Sequence, residues 1–281
     1  MMSRAKEPPQ TARGFGKLLT PGGIALCLAI MLCSSALRAQ KQPSAHLPPR
    51  ASATIPSFDT SMDDNQVFVH VLFDQLEGRS GAGKTDFRWD GESWIGGDLN
   101  RLWLKSEGFA ESGVANGNHE ARDGDQEALY DRPIPRLRYF DGQIGVRADL
   151  DSGPRRVWAA VGIEGLAPWF FELAPTFYIR DDGHVGGRIV GSYDVLLTQR
   201  LILQPEAELN FYNKDDPARK SGSGLSDLDG GLRMRYEFSR KFAPYVGWAY
   251  HGLYGNSALY AQQSHESTGD SQFAFGLRVW Y

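Results

Sequence analysis

His70, Asp74, Asp98, Arg147, Asp149, Glu164, Glu172, Arg188, Asp194, Glu206, Glu208, Arg233, Arg235, Glu237, His251 and Arg278 recur in segments where polar and apolar residues alternate. Successive side chains of a β-strand point to opposite faces, so this spacing predicts that these groups share one face. Such a face has two uses. It can fill a narrow interior with ion pairs. It can also line a polar route or a metal-binding lumen, because carboxylates and imidazoles are ligands for divalent transition metals. His70, Asp74, Asp98, Glu206, Glu208 and His251 are the best-placed ligands. A metal needs several of them to converge, and alternation alone does not show convergence.

Two other chemistries can be weighed and set aside. Gly78-Arg-Ser-Gly-Ala-Gly-Lys84-Thr85 fits the phosphate-loop pattern G-x-x-x-x-G-K-[ST] and follows an apolar segment. That motif needs a helix starting at the lysine, whose free N–H groups and dipole hold the phosphates. Asp86-Phe-Arg-Trp-Asp-Gly91 follows instead, so a glycine-rich outer loop is expected and no nucleotide partner. A lipid-hydrolysing barrel would need a Ser–His pair at the bilayer surface. No nucleophile motif accompanies any of the six histidines, and no enzymatic activity is expected. The formal charge of −4 gives no case for nucleic acid.

The elements that would carry these residues are strands. Alternation predicts them over Val67–Glu77, Thr85–Trp89, Trp94–Ser106, Gln126–Pro133, Tyr139–Leu150, Arg156–Leu166, Trp169–Arg180, Val185–Leu197, Leu201–Tyr212, Leu228–Ser239, Phe242–His251 and Gln272–Tyr281. Leu203, Pro205, Ala207, Leu209 and Phe211 oppose Gln204, Glu206, Glu208 and Asn210. The chain ends with Phe273, Phe275, Leu277, Val279 and Tyr281 on one face of a strand. An open apolar edge invites aggregation, whereas a closed barrel in a bilayer has no edge and wants apolar side chains outside. Counted back from a periplasmic C-terminus, connections alternate long and tight. Gly252–Ser271, Asn213–Asp227 and Glu107–Asp125 are long; Arg240-Lys241, Thr198–Arg200 and Asp90–Ser93 are tight. The expected fold is an antiparallel transmembrane β-barrel with an even strand number, nearest twelve, with eight or ten as alternatives. Trp94, Trp103, Trp158, Trp169, Trp248 and Trp280 are expected in an interfacial girdle. The mean hydropathy of −0.39 is compatible with this, because alternating strands average to a soluble-looking value.

Ahead of the barrel the texture differs. Arg4, Lys6, Arg13 and Lys17 precede an apolar run, Ile24 to Leu32, and Leu37-Arg-Ala39 offers a cleavage point. Residues 1–39 therefore read as an export signal, which holds both cysteines, Cys27 and Cys33. Residues 40–66, rich in Pro, Ser, Ala, Thr and Asp, read as a disordered periplasmic tail. Residues 67–281 form the one folded domain, placed in the bacterial outer membrane with its lipid as neighbour.

The segment Trp94-Ile-Gly-Gly-Asp-Leu-Asn-Arg-Leu-Trp-Leu-Lys-Ser-Glu-Gly108 resembles the copper resistance protein B family of outer-membrane proteins. The likeness continues through Gln126–Tyr130, Asp141–Arg147, Gly162–Trp169, Leu196–Pro205, Lys214–Arg219, Gly222–Asp227 and Phe242–Gly247. The resemblance implies a barrel that sequesters copper or moves it across the outer membrane, with a copper ion bound and periplasmic copper-binding proteins as partners. Family members often carry a Met- and His-rich tail before the barrel, whose thioethers suit Cu(I). Here the tail offers only Met62 and His46, so any copper role falls to the barrel or to a partner. A small passive pore without metal preference is the alternative.

Overall fold

In the computed structural model, which describes residues 66–81, 84–112, 120–150 and 154–281, each alternating segment pairs antiparallel with its neighbours in the chain. The strands are β1 (Phe68–Gly81), β2 (Lys84–Gly96), β3 (Arg101–Ser112), β4 (Glu120–Pro133), β5 (Phe140–Asp149), β6 (Arg156–Ala167), β7 (Phe171–Ile179), β8 (Val185–Ser192), β9 (Val195–Leu196), β10 (Leu201–Tyr212), β11 (Gly224–Tyr236), β12 (Phe242–Leu253) and β13 (Gly269–Trp280). One helix, α1 (Gly255–Gln263), lies between β12 and β13. The pieces β8 and β9 both pair with β10 and form one interrupted barrel strand, so the thirteen segments make a barrel of twelve. Pairing of β1 with β13 closes the ring, and Val71 and Tyr281 exchange backbone hydrogen bonds of 3.0 and 2.8 Å there. Closure satisfies the edge that the apolar terminal strand would otherwise expose. The expected export signal lies outside the described residues, as does the tail apart from Gln66.

The alternation sorts as hydrocarbon requires. Phe273, Phe275 and Leu277 point outward from β13, while Gln272 and Ala274 are buried inside. Leu232, Met234 and Tyr236 of β11 face out, and Arg233 and Arg235 face in. No helix is long and apolar enough to cross a membrane among the described residues. The connections at the end holding both termini of the barrel are short, such as Gly97–Asn100, Pro168–Phe170 and residues 197–200. Residues 213–223 and 254–268 make longer connections at the other end. Short turns belong to the periplasm and long loops to the exterior, which orients the barrel.

Three expectations need correction. Asp90–Ser93 is no connection: β2 runs through it, paired with β1 and β3, and the turn comes at Gly97–Asn100. Gly91 is tolerated there because the Phe73 ring fills the space its side chain would take. Asp98 therefore sits exposed in a periplasmic turn and not on the inner face. The glycine-rich segment, expected as an outer loop, is strand up to Gly81 and again from Lys84, with Gly81 opposite Lys84 and Ser80 opposite Thr85; as expected, no helix begins at the lysine. Third, Trp94, Trp103, Trp158 and Trp280 are not girdle residues. Trp103 and Trp158 are 9% and 5% exposed and pack with Leu129, Ala160 and Tyr178 inside the barrel. Trp94 and Trp280 flank the inward His70 ring. Only Trp169 and Trp248 of the set point outward.

Candidate metal-handling lumen

A bulge in β1 decides what the lumen contains. Between Phe73 and Gln75 the register shifts, so the inner face passes from His70, Leu72 and Asp74 to Gln75, Glu77 and Arg79. An extra residue in one strand resets its parity. Strict alternation misses Gln75, Glu77 and Arg79. The signal in the sequence is the adjacent polar pair Asp74-Gln75, after which the apolar parity moves to Leu76.

These residues enter a partition across the middle of the barrel. The Arg79 guanidinium donates to both carboxylate oxygens of Asp229, at 2.6 and 3.0 Å, and to Glu77 at 2.7 Å. Arg233 reaches Glu77 at 3.0 Å and Glu206 at 3.2 Å. Arg88 bridges Glu208 at 3.1 Å and Asp229 at 3.3 Å. Arg188 binds Asp125 at 2.6 Å, Glu208 at 3.2 Å and also Glu107, while Arg147 holds Asp125 and Asp149 at 2.9 and 2.8 Å. Tyr178 and Tyr245 donate to Glu127 and Glu77 at 2.6 and 3.1 Å. The side chains of Arg79 and Glu77 are 0% exposed. Charges this deep are tolerated because each meets a fixed counter-charge and further hydrogen bonds.

The partition separates two chambers. The outer one, about 130 Å³, is walled by Asp86, Asp149, Trp158, Asp227, Asp229 and His251 among others. His251 Nδ1 lies 3.6 Å from Asp229, and its ring stacks on Phe109. The inner one, about 400 Å³, lies toward the periplasm and is lined by ten carboxylates, Asp74, Asp90, Glu92, Glu107, Asp125, Glu127, Glu164, Glu172, Asp194 and Glu206, against three cations, Lys105, Arg188 and Arg278. Lys105 is bound to Glu164 and Arg278 to Asp74. Asp90 and Glu92 have no salt bridge among the described residues.

Of the expected ligands, Asp74 and Glu206 line the inner chamber, and Glu208 and His251 line the outer one. Glu208 is locked in the partition, His251 faces the outer chamber, and His70 lies near the periplasmic mouth between Trp94 and Trp280, at centroid distances of 5.9 and 5.8 Å. Among the described residues, no three His, Cys, Asp or Glu side chains converge as a metal-binding group. The inner chamber can therefore attract a cation through its field, without a tight cage.

At the outer mouth, the loop between β10 and β11 is tied to neighbouring parts of the rim. Asp216 accepts hydrogen bonds from Arg156 and Arg180 at 3.1 Å each, and Asp215 accepts from Asn256 at 2.9 Å. Burial raises the Asp216 pKa, but Arg156 and Arg180 outweigh it and hold the carboxyl below its ordinary 3.8. A depressed carboxylate stabilises the folded loop above that value and loses its hold as pH falls through the lower, folded value. A spin label at Ala218→Cys, in a chain with no other cysteine beyond Cys33, should stay immobile at pH 5. It should gain mobility only below pH 3.8. A label already mobile at pH 5, with no further change on acidification, would contradict the latch.

Closed strand pairing, an apolar exterior and a charged interior define an outer-membrane β-barrel. The sequence profile of the family "Copper resistance protein B precursor (CopB)" matches residues 67–281, the whole barrel, and the chain belongs to that family. It is 41% identical over 221 residues to copper resistance protein B of Escherichia coli, covering 79% of this chain and 72% of that one. It is 36% identical over 248 residues to the copper resistance protein B homolog of Pseudomonas syringae pv. tomato (strain ATCC BAA-871 / DC3000), covering 86% and 82%. Among solved structures, the NanC porin overlaps 75% of this chain and 99% of its own, with a TM-score of 0.47 and 13% identity. The KdgM porin gives 75%, 98%, 0.41 and 12%. Membership of the family supports a role in copper resistance.

Proposed function

We propose that the barrel sequesters Cu(II) from the periplasmic side, as cargo held in the inner chamber. The observation that carries this reading is the excess of carboxylates there, below a partition of buried ion pairs. Oxygen and imidazole donors suit Cu(II), whereas Cu(I) favours thiolates and thioethers. Beyond residue 66 the chain has no cysteine and one methionine, Met234, which faces outward. The absence of a converged ligand set among the described residues favours exchangeable binding, with transfer to or from a periplasmic copper-binding protein. Residues 1–39 would serve as the export signal and be removed. A passive pore would require a continuous aqueous path, which the buried Arg79–Glu77 and Arg233–Glu77 pairs oppose.

Deleting the gene should lower the copper concentration at which cells still grow, with zinc tolerance unchanged. Re-expressing residues 67–281 behind an export signal should restore growth, because the barrel carries the donors. Unchanged copper tolerance after deletion would count against the proposal.

A further inference from the structure

The periplasmic rim between the β4–β5 and β6–β7 turns holds an unusual pairing of groups. Arg132, at the end of β4, and Arg136 and Arg138, in the following turn, are exposed, and none of their side chains makes an ion pair or hydrogen bond with a described residue. The inward arginines Arg79, Arg88, Arg147, Arg188 and Arg233, by contrast, all have carboxylate partners. The turn carrying the free arginines is ordered by backbone hydrogen bonds, from Ile134 to Phe140 and from Leu137 to Ile134. Opposite Arg132 across the β4–β5 ladder stands Gly142, which brings no side chain to that outer face.

Beside it, Trp169 and Phe170 occupy the β6–β7 turn. Both have left-handed backbone angles, φ 66° and 63°, a region that bulky residues rarely adopt. The result is exposure: 87% for Trp169 and 79% for Phe170. The two turns adjoin, since Leu166 donates its backbone N–H to Tyr139 at 2.9 Å and Phe140 pairs with Gly165. The patch is also continuous with the lipid-facing wall through Ile144 and Phe171.

We propose that this corner binds the phosphate of an anionic phospholipid in the periplasmic leaflet. Arginine forks match phosphate oxygens, and aromatic rings settle at headgroup level, so each half of the patch suits one half of the same molecule. Continuity with the hydrocarbon-facing wall favours a lipid over an acidic protein segment. The strained turn then presents its two rings to the acyl–headgroup boundary, while the unpaired guanidinium groups meet the phosphate.

The test is native mass spectrometry of the full barrel, extracted from bilayers containing phosphatidylglycerol and phosphatidylcholine. The wild type should retain phosphatidylglycerol preferentially. The variant Arg132→Gln/Arg136→Gln/Arg138→Gln should bind it roughly tenfold more weakly, the loss expected from removing charge-assisted phosphate contacts. Trp169→Ala/Phe170→Ala should reduce retention of both lipids. Heat-modifiable gel mobility should show all variants folded, because the arginine side chains make no ion pair or hydrogen bond with a described residue. Equal phosphatidylglycerol retention by wild type and triple variant would overturn the proposal. So would displacement of retained lipid by inorganic phosphate alone, or arginine-dependent capture of an acidic polypeptide with no lipid preference.

Discussion

Replacing Asp74, Asp90, Glu92 and Glu206 together by their amides should cost the barrel most of its hold on Cu(II). All four line the inner chamber. A unit charge some 8 Å from a divalent ion contributes about 1–4 kcal/mol at effective dielectric constants of roughly 20–80. At a factor of ten per 1.4 kcal/mol, losing four such terms should weaken binding on the order of a hundredfold or more. Isothermal titration of the purified barrel reads this directly. The amides keep side-chain volume, and Asp90 and Glu92 have no salt bridge among the described residues to break. Arg278 and Arg233 lose a partner at Asp74 and Glu206, so the double variant Asp90→Asn/Glu92→Gln provides a milder control, weakened but folded. Undiminished Cu(II) affinity in the quadruple variant would show that the chamber is not where copper binds.

Arg188→Ala should produce the second large effect, on stability and on closure at once. Its guanidinium is shared among Glu107, Asp125 and Glu208. Truncating one member of a buried charge network leaves the others unpaired, at about 3–5 kcal/mol. The urea midpoint for unfolding from lipid vesicles should fall accordingly. The same truncation removes part of the wall between the chambers, so planar-bilayer conductance should rise above the near-zero level expected of the wild type. Replacement by methionine, of similar length without charge, should show the same unpaired carboxylates and a smaller gain in conductance. A wild type with a steady open channel would contradict the partition itself.

The outline of the fold was legible because a bilayer imposes a simple rule on strands. Phe273, Phe275 and Leu277 had to face hydrocarbon if the terminal strand was to be stable, and they do. An even number of antiparallel strands, nearest twelve, followed from the same alternation, and the ring has twelve. What alternation could not show was where parity slips. The bulge before Gln75 turned Glu77 and Arg79 inward, into the most buried ion pair of the lumen. Likewise, the polar run around Gly91 looks like a turn, yet its neighbours on β1 and β3 pair straight through it. The tryptophans misled for another reason. A ring near a strand end satisfies either an interface or an interior, and the decision lies with partners distant in sequence. Trp158 donates to Asp149 at 2.8 Å under the guanidinium of Arg180, which settles it inward.

The candidate ligands were legible as a class and not as a site. Asp74 and Glu206 were placed on the inner face from sequence and share a chamber, whereas Asp98 depended on a strand boundary that lay elsewhere. Asp90 and Glu92 enter the chamber only once β2 is known to be continuous, and Lys105 only once β3 is known to start after the Gly97–Asn100 turn. Convergence is a property of the closed ring and of its register.

Anomalous scattering at the copper absorption edge, from crystals of the barrel equilibrated with Cu(II), would test the central claim most directly. The account predicts a peak inside the ring on the periplasmic side of Arg188 and Arg233, within reach of Asp74, Glu92 or Glu206. A peak confined to the extracellular loops or the outer surface, with none inside the ring, would contradict it.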